Sequence, residues 1–369
     1  MNLLLTSVGS IVGQNILDVL EHPGLSRRSL LRVVGTNSIA DTACNFRCDR
    51  CYLVPPTVAS GYPERMRDIL LIESPDLILC CRDEDTYVLS QLKIRHPELP
   101  GVLPLENPRV ALMGLDKWQT WLFARKHELP FAESFMPGES GDGAALEAFC
   151  RQVGYPLIAK PSRGSGSRGV CFIRDAGDAE TIAQRGDYLF QEFVGEPQSL
   201  DPYFASLHGP PPLFAQFEDA SHRSGHTIID PSGGIAPISV TESKTVHGPR
   251  PNRRISDPEL VALTLNYARA LFREGGAGPI TVQLRRDRFG SWKAIEINLR
   301  TSGGTAARFL RGVDELYLII KAFVPGASFP ELRPQGADEH GHIVRQYCSY
   351  PIFDSQVSML KRSNVWSRS

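Results

Sequence analysis

Between Pro279 and Asn298 the sequence writes an antiparallel hairpin, and the side chains gathered on one face of it restrict the fold more than any other stretch. Pro279 to Arg285 alternates as a strand, Arg286 to Ser291 turns it, and Trp292 to Asn298 returns. A period of two sets Thr281, Gln283 and Arg285 on one face and Ile280, Val282 and Leu284 on the other. By the same count Glu296 and Asn298 share a face opposite Ile295 and Ile297. Gln283, Glu296 and Asn298 are therefore expected to meet as three oxygen donors. One carboxylate and two amides suit magnesium, which keeps waters and completes its shell with nucleotide phosphate oxygens. Arg300, two residues beyond Asn298, points the same way and can neutralise charge on a transferred phosphoryl group. Ser302, Gly303 and Gly304 then offer backbone donors at a helix start, suited to a substrate carboxylate or an acyl phosphate. A polar hairpin face is ordinarily just solvated. Here the E-x-N spacing, the following arginine and the glycine-rich helix start occur together, and a functional face is the better reading.

A second device lies upstream. Asp116-Lys117 opens a helix running to about His127, Leu129 to Ala132 reads as a short strand after a turn, and Gly143 to Val153 reads as a helix. Tyr155 to Pro161 reads as a strand with Lys160 near its end. The loop Ser162 to Gly169 (SRGSGSRG) then leads straight into another strand, Val170 to Ile173. A Walker loop requires G-x-x-x-x-G-K-[ST] opening a helix, so this order describes a different phosphate device. It is a hairpin tip whose backbone N–H groups can close over polyphosphate, with Lys160 supplying a point charge from its base. On these residues alone, a plain flexible turn is the alternative. In the next strand, Tyr188 to Val194, polar Gln191 and Glu192 interrupt an apolar run. Such an edge can pair an adenine through its backbone, with an acidic residue accepting from the exocyclic amine; a half-exposed strand is the alternative.

The first third reads as an open α/β layer. Leu3 to Thr6 is a short apolar strand, Ser7 to Gln14 turns into a helix from Asn15 to Glu21, and Leu31 to Thr36 is the next strand. Met66 to Glu73 gives a helix before the buried strand Asp76 to Cys81, and this alternation argues for a parallel sheet. The turn VGSIVG lacks the full G-x-G-x-x-G spacing, and neutral Asn37 stands where an acidic ribose ligand would be expected. It is read as a structural turn or substrate-side loop and not as a dinucleotide site. Cys44, Cys48 and Cys51 have the C-x3-C-x2-C spacing of radical-SAM clusters. Arg50 stands where that motif has an aromatic residue, no barrel follows and no fourth zinc ligand is evident, so the three are read as packing thiols.

Composition narrows the partners. The 369 residues are 42% hydrophobic, enough for a large core and two or three domains, and 40 Lys and Arg nearly balance 41 Asp and Glu. That balance gives no general footprint for nucleic acid or anionic lipid. The apolar start lacks a basic leader, and no run approaches a membrane span. Eight cysteines in a chain of this length resemble reduced thiols more than a disulfide framework. A cytoplasmic protein is expected, with no nucleic acid or membrane partner and with a homodimer left open.

Taken in order, Lys117, Lys160, the GSGSRG hairpin, QEFV, Gln283 and AIEINLRTSGG resemble the ATP-grasp superfamily, particularly its carbamoyl-phosphate-synthase-like branch of carboxylate–amine ligases. The resemblance covers essentially residues 1 to 330, including the SVGSIVGQ opening and the stretch from Asp49 to Pro55. It implies an α/β chain: a pre-ATP-grasp open parallel sheet over 1–113, ATP-grasp subdomains over 114–190 and 191–330 with ATP between them, and a tail over 331–369 packed on the core. It also implies that Lys117 and Lys160 bind nucleotide phosphates, that Gly164, Ser165, Gly166, Ser167, Arg168 and Gly169 close over them, and that the edge Gln191, Glu192, Phe193 and Val194 holds adenine. Gln283, Glu296 and Asn298 would serve Mg2+, for which Mn2+ can substitute; Arg300 would act on the phosphoryl group, and Ser302, Gly303 and Gly304 on the substrate.

The pattern departs after QEFVG, where Pro197 to Ser224 looks like an insertion and the strand resumes near His226. Glu196 is the candidate ribose ligand, and His226 stands where an acid is usual. Lys244, in VTESKTVHG, occupies a stretch that often carries a basic residue facing the phosphates. The implied reaction is activation of a carboxylate, of an amino acid or small peptide, as an acyl phosphate and its capture by an amine. A carboxylase or small-molecule kinase on the same fold, and a nucleotide-binding regulator without activity, are the alternatives beside the iron–sulfur reading.

Overall fold

The computed structural model describes residues 1–138, 143–164, 166–195, 200, 222–243, 250–334, 343–345 and 350–368. Strands β1 (Asn2–Leu5), β2 (Arg32–Asn37), β3 (Arg50–Leu53) and β4 (Leu77–Leu79) lie parallel in the order β3-β2-β1-β4. Their apolar runs are those of a sheet buried on both faces. Leu3, Leu5, Val33 and Leu79 pack against helix α1 (Ile11–Leu20), while Leu4, Val34 and Ile78 pack against α2 (Tyr62–Glu73) and α3 (Asp83–Arg95).

The VGSIVG turn is structural. Ser10 caps α1, its hydroxyl accepting from Gly13 N at 3.2 Å, and a Cβ on Gly13 would lie 2.2 Å from the carbonyl oxygen of Val8. That oxygen is backbone and has little room to give. Gly13→Ala is therefore expected to destabilise the chain by about 1–3 kcal/mol, the usual cost of overpacking, despite alanine's better helix propensity. A lowered midpoint of urea unfolding is the check. Asn37 donates to Asn45 Oδ1 and to the Ile39 carbonyl, an internal role that suits the structural reading.

Cys44, Cys48 and Cys51 are buried in the same apolar cluster as α1, and a Cβ on Gly35 would lie 2.7 Å from Cys48 Sγ. Burial pushes all three thiols up, away from the thiolate that a metal needs. Among the described residues no group of three His, Cys, Asp or Glu is placed to hold a metal ion, and no helix is long and apolar enough to cross a membrane.

Helices α4 (Pro108–Leu115) and α5 (Lys117–Lys126) lead to an antiparallel sheet ordered β5-β8-β6-β7. It is built from β5 (Ser134–Phe135), β6 (Leu157–Pro161), β7 (Cys171–Ile173) and β8 (Tyr188–Glu192) and packed by α6 (Gly143–Val153) and α7 (Ala176–Ala183). The strand expected over Leu129 to Ala132 is displaced to β5. Phe131 instead bridges to Ala294, and Ala132 N donates to the Ala294 carbonyl at 2.8 Å, so this segment ties the antiparallel sheet through backbone to the strand that carries Ala294.

The third sheet, β13-β12-β9-β10-β11-β14, is antiparallel throughout. It comprises β9 (Arg223–Ile229), β10 (Ser239–Ser243), β11 (Arg250–Arg254), β12 (Gly278–Arg286), β13 (Trp292–Asn298) and β14 (Ile343–Arg345). β9 starts at Arg223, earlier than the His226 expected from sequence, because Arg223 and Ser224 already pair with Leu284 and Gln283. One face of the sheet, with Val240, Ile280, Val282, Leu284 and Ile297, is covered by α8 (Pro258–Arg273).

Two short helices follow, α9 (Thr305–Phe309) and α10 (Glu315–Phe323). The tail then returns to both ends of the molecule. β14 edges the third sheet, while α11 (Asp354–Ser363) leads into β15 (Val365–Ser367), which pairs antiparallel with β3 in the first. Buried Trp366 meets Phe46 edge-on, with ring centroids 5.3 Å apart.

Candidate active site

The hairpin β12–β13 forms as its alternation implies, closed by Asp287, whose Oδ1 accepts from Phe289 N and Ser291 N, each at 2.9 Å. Its register corrects one detail. Gln283 pairs with Glu296, but Leu284 pairs with Ala294, so Ile295 is an extra, bulged residue. Strict alternation would put Lys293 opposite Glu296. The bulge turns the strand, so that Lys293, Glu296 and Asn298 are register partners of Arg285, Gln283 and Thr281 and share one polar face. Trp292, Ala294 and Ile297 are buried on the other.

On this polar face the three expected oxygen donors meet. Gln283 Nε2 donates to Asn298 Oδ1 at 3.2 Å, and Asn298 Nδ2 to Glu296 Oε1 at 3.3 Å. No hydrogen-bond donor among the described residues reaches Glu296 Oε2 or Gln283 Oε1, which leaves two hard oxygens on this face without a protein donor. A small oxygen-seeking cation that brings its own phosphate ligands fits such a set.

The bulge has a second effect. The Ile295 carbonyl accepts from Lys160 Nζ at 3.1 Å, and the same ammonium donates to Gln191 Oε1 at 2.9 Å. Gln191 is held in turn by Ser134 Oγ at 3.0 Å. Gln191 therefore stands behind the lysine, orienting it. Lys160 is only 7% exposed, and burial pulls its ammonium from 10.5 down to about 8, with Lys117 and Arg285 adding to the shift and Glu296 opposing it. A cation in that state gains from an arriving anion.

The glycine hairpin sits at the base of this lysine strand. Gly164 and Gly166 have φ of 140° and 67°, and Ser167 adopts the left-handed conformation at 57°, so the tip needs the freedom glycine provides. Lys117 Nζ donates to the Gly164 carbonyl at 2.8 Å. Asp116, the N-cap of α5, accepts from Trp118 N, from Ser162 Oγ at 2.6 Å and from Arg163 Nε at 3.1 Å, latching the hairpin base to the helix. Arg168 and Gly169 lie in the same tip, whereas Ser165 lies outside the described residues, as do Glu196 and Lys244.

β8 is not the open edge expected from sequence: it lies between β5 and β6, and Glu192 N donates to the Glu133 carbonyl at 2.8 Å, while Glu192 Oε1 accepts from Glu133 N at 2.8 Å and from Lys293 Nζ at 2.6 Å. The carboxylate thus ties the second sheet to the third. Phe193 packs against Phe172, and Val194 is buried.

Arg300 is placed between the domains. Its Nε donates to Asp83 Oδ2 at 3.0 Å, Nη2 lies 2.8 Å from the same oxygen, and Nη1 donates to the Thr301 carbonyl at 3.0 Å. The Ser302–Gly304 turn is more self-contained than expected. Gly304 N donates to Ser302 Oγ at 3.2 Å, and Arg308 Nη2 donates to the same hydroxyl at 2.9 Å and to Glu315 Oε2 at 2.6 Å. Burial would raise Glu315, but Arg308 outweighs it and holds the carboxyl below its usual range. His226, 3% exposed, has Nδ1 3.0 Å from Thr281 Oγ1 and is pulled down to about 3, first by burial and then by Arg308. It is a neutral strut beneath the hairpin.

Asp83, Asp116, Lys293, Arg308 and Glu315 were not singled out from sequence. Only Asp116 had a readable signal, as a helix cap. A groove lined by Leu30, Tyr317, Lys321 and Phe329 shares no residue with this cleft.

The three-sheet architecture has solved counterparts. Over 93% of this chain and 74% of theirs, it superposes on biotin carboxylase from Campylobacter jejuni, solved as a β-γ-ATP complex, with a TM-score of 0.64 at 15% identity. The chain has the ATP-grasp fold. The L-amino acid ligase of Bacillus licheniformis shares the ATP-grasp arrangement over 87% of this chain and 74% of its own, with a TM-score of 0.59 at 15% identity. By sequence, human N-acetylaspartylglutamate synthase A is 28% identical over 138 residues, 36% of this chain. The match spans 34% of that relative's length, so about a third of it is represented. No family model matches the chain. ATP-grasp relatives of the chain thus include both ligases and carboxylases.

Proposed function

We propose that the protein is an ATP-dependent carboxylate–amine ligase of the carbamoyl-phosphate-synthase-like type. The convergence of Lys160, the Gln283–Glu296–Asn298 set and Arg300 in one cleft is the observation that best supports this reading. In it, Lys117 and Lys160 hold the nucleotide phosphates, the Gly164–Gly169 hairpin folds over them, and the backbone from Glu192 to Val194 takes adenine. Glu296, Gln283 and Asn298 hold magnesium, which when bound neutralises phosphate charge. Lys244 and Glu196 keep their expected phosphate and ribose roles.

A substrate carboxylate oxygen attacks the γ-phosphorus and ADP leaves. Arg300 offsets the charge that develops on the transferred group. An amine then attacks the acyl carbon of the acyl phosphate, phosphate departs and a proton is released, leaving an amide. Closure of the hairpin keeps water from that intermediate.

The polar face also favours an acidic substrate. Gln283 pairs with Ser224, Ser224 with Thr241 and Thr241 with Arg254, so a row of side chains runs across four strands to an exposed arginine. Three strand spacings put Arg254 roughly 14 Å from Gln283. Beside it Arg311, which donates to the Asn252 carbonyl at 2.9 Å, is pushed down by burial and then by Arg254 and Arg253. A second carboxylate at the far end of a substrate would meet this charge. The name of the human relative, with its aspartyl and glutamate parts, points in the same direction.

The test is a phosphate-release screen over amino acids, singly and in pairs, with mass spectrometry of the products. Acidic amino acids are expected among the active pairs, and Arg254→Gln is expected to raise KM for them about tenfold with kcat little changed, as loss of one charge-assisted contact implies. Equal KM in the variant removes the acidic assignment. The likeness to biotin carboxylase supports a second reading, in which ATP use requires bicarbonate and no amine. Phosphate release under those conditions alone decides for it.

A further inference from the structure

Asp83 stands just past the carboxyl end of β4, in the first turn of α3, and it belongs to the N-terminal sheet and not to the ATP-grasp halves. Its side chain is buried, and the group it meets there is Arg300, from the stretch that follows β13. The arginine has five N–H bonds. Nε donates to Asp83 and one Nη1 hydrogen to the Thr301 carbonyl, while Nη2 lies 2.8 Å from Asp83 Oδ2 as an ion-pair contact. One hydrogen on each terminal nitrogen is left without an acceptor among the described residues. Donors held in a fixed position by such contacts suit an arriving phosphoryl or carboxylate oxygen.

We propose that Asp83 is a positioning residue for the reaction: it fixes the direction of the Arg300 fork and thereby makes the N-terminal sheet part of the catalytic apparatus. This rests on the ligase reading only for the identity of the anion. The groups facing the pair are few. Arg300 and Glu296 face Asp83 from the third sheet and Glu84 lies in its own turn, while Cys81, Asp83 and Glu296 face Arg300. Burial raises the Asp83 carboxyl above its ordinary range, with Glu296 and Glu84 adding and Arg300 opposing. Protonation of Asp83 would release the fork, so the rate should fall as pH drops through that raised value.

Asp83→Asn keeps the volume and removes the charge. The expected result is a kcat reduced about 10–100-fold, the range for a residue that orients another, with ATP affinity and melting temperature near wild type. The acid limb of the wild-type kcat profile should be absent in the variant, and Asp83→Glu should recover part of the rate. Unchanged kcat, or a loss of kcat that only follows a loss of folding, overturns the assignment. A second readout needs no turnover: hydrogen exchange at Arg300 Nε, followed by NMR, should speed at least tenfold in Asp83→Asn. An unchanged exchange rate overturns the proposal even if the wild type proves inactive with every carboxylate, an outcome that would instead defeat the ligase reading.

Discussion

Replacing Glu296 with alanine is expected to abolish ADP formation, with a loss on the order of 10³-fold in kcat/KM, comparable to removing a principal electrostatic contact to a reacting group. Glu296 is the single carboxylate of the three-oxygen set, and its charge also acts on Lys160, Asp83 and Arg300. Glu296→Gln preserves the shape and can still accept from Asn298, so it separates charge from packing. It should be nearly as inactive as the alanine variant while folding like wild type. Coupled measurement of ADP release over a magnesium titration is the check, and turnover within a few-fold of wild type in either variant would show that the metal assignment is wrong.

Lys160→Met should cost about 10²–10³-fold in turnover, again the scale of one lost charge contact in the transition state, without costing stability near neutral pH. The reason is the sign of the linkage. Unfolded, the ammonium titrates at its ordinary 10.5; in the empty fold burial lowers it to about 8. Between those values the unfolded chain holds more protons, so stability rises with pH across that window, and below about 8 the buried charge weighs against the fold. Methionine removes the charge, so its melting temperature at pH 7 should not fall below that of wild type by more than the loss of the Gln191 hydrogen bond explains. Nucleotide binding gives a second signature. Phosphates should draw a proton onto Lys160 above pH 8, so wild-type affinity should weaken as pH rises further, with proton uptake seen by calorimetry in two buffers. The methionine variant should show neither effect, and a pH-independent wild type would contradict the role assigned to Lys160.

Much of this site could be read before any coordinates existed, because it is built from local rules. Alternation placed Gln283, Glu296 and Asn298 together, and strand–loop–strand order distinguished the glycine hairpin from a Walker loop. What alternation could not show was the bulge at Ile295. One extra residue leaves composition and apolar content unchanged, yet it moves Lys293 onto the polar face and turns a carbonyl toward Lys160. The partners of Gln191 were hidden for a related reason. Its polarity in an apolar strand marked the position as special, but whether it served nucleotide or lysine depended on Ser134 and Lys160, which come from two other strands. Asp83 was invisible because its partner lies 217 residues away. A carboxylate at a helix start already has a sufficient local explanation in the helix dipole.

The antiparallel pairing of β15 with β3 bears on how the chain is made. Strands β1 to β4 leave the ribosome before the strands of the other two sheets, but the strand that caps the β3 edge emerges only after both of those sheets have been synthesised. Until then the β3 edge presents unpaired backbone groups, the kind of surface that recruits a neighbouring strand. Completion of the first sheet is thereby postponed until the other two sheets have been synthesised, and the nascent chain carries a sticky margin while they are made.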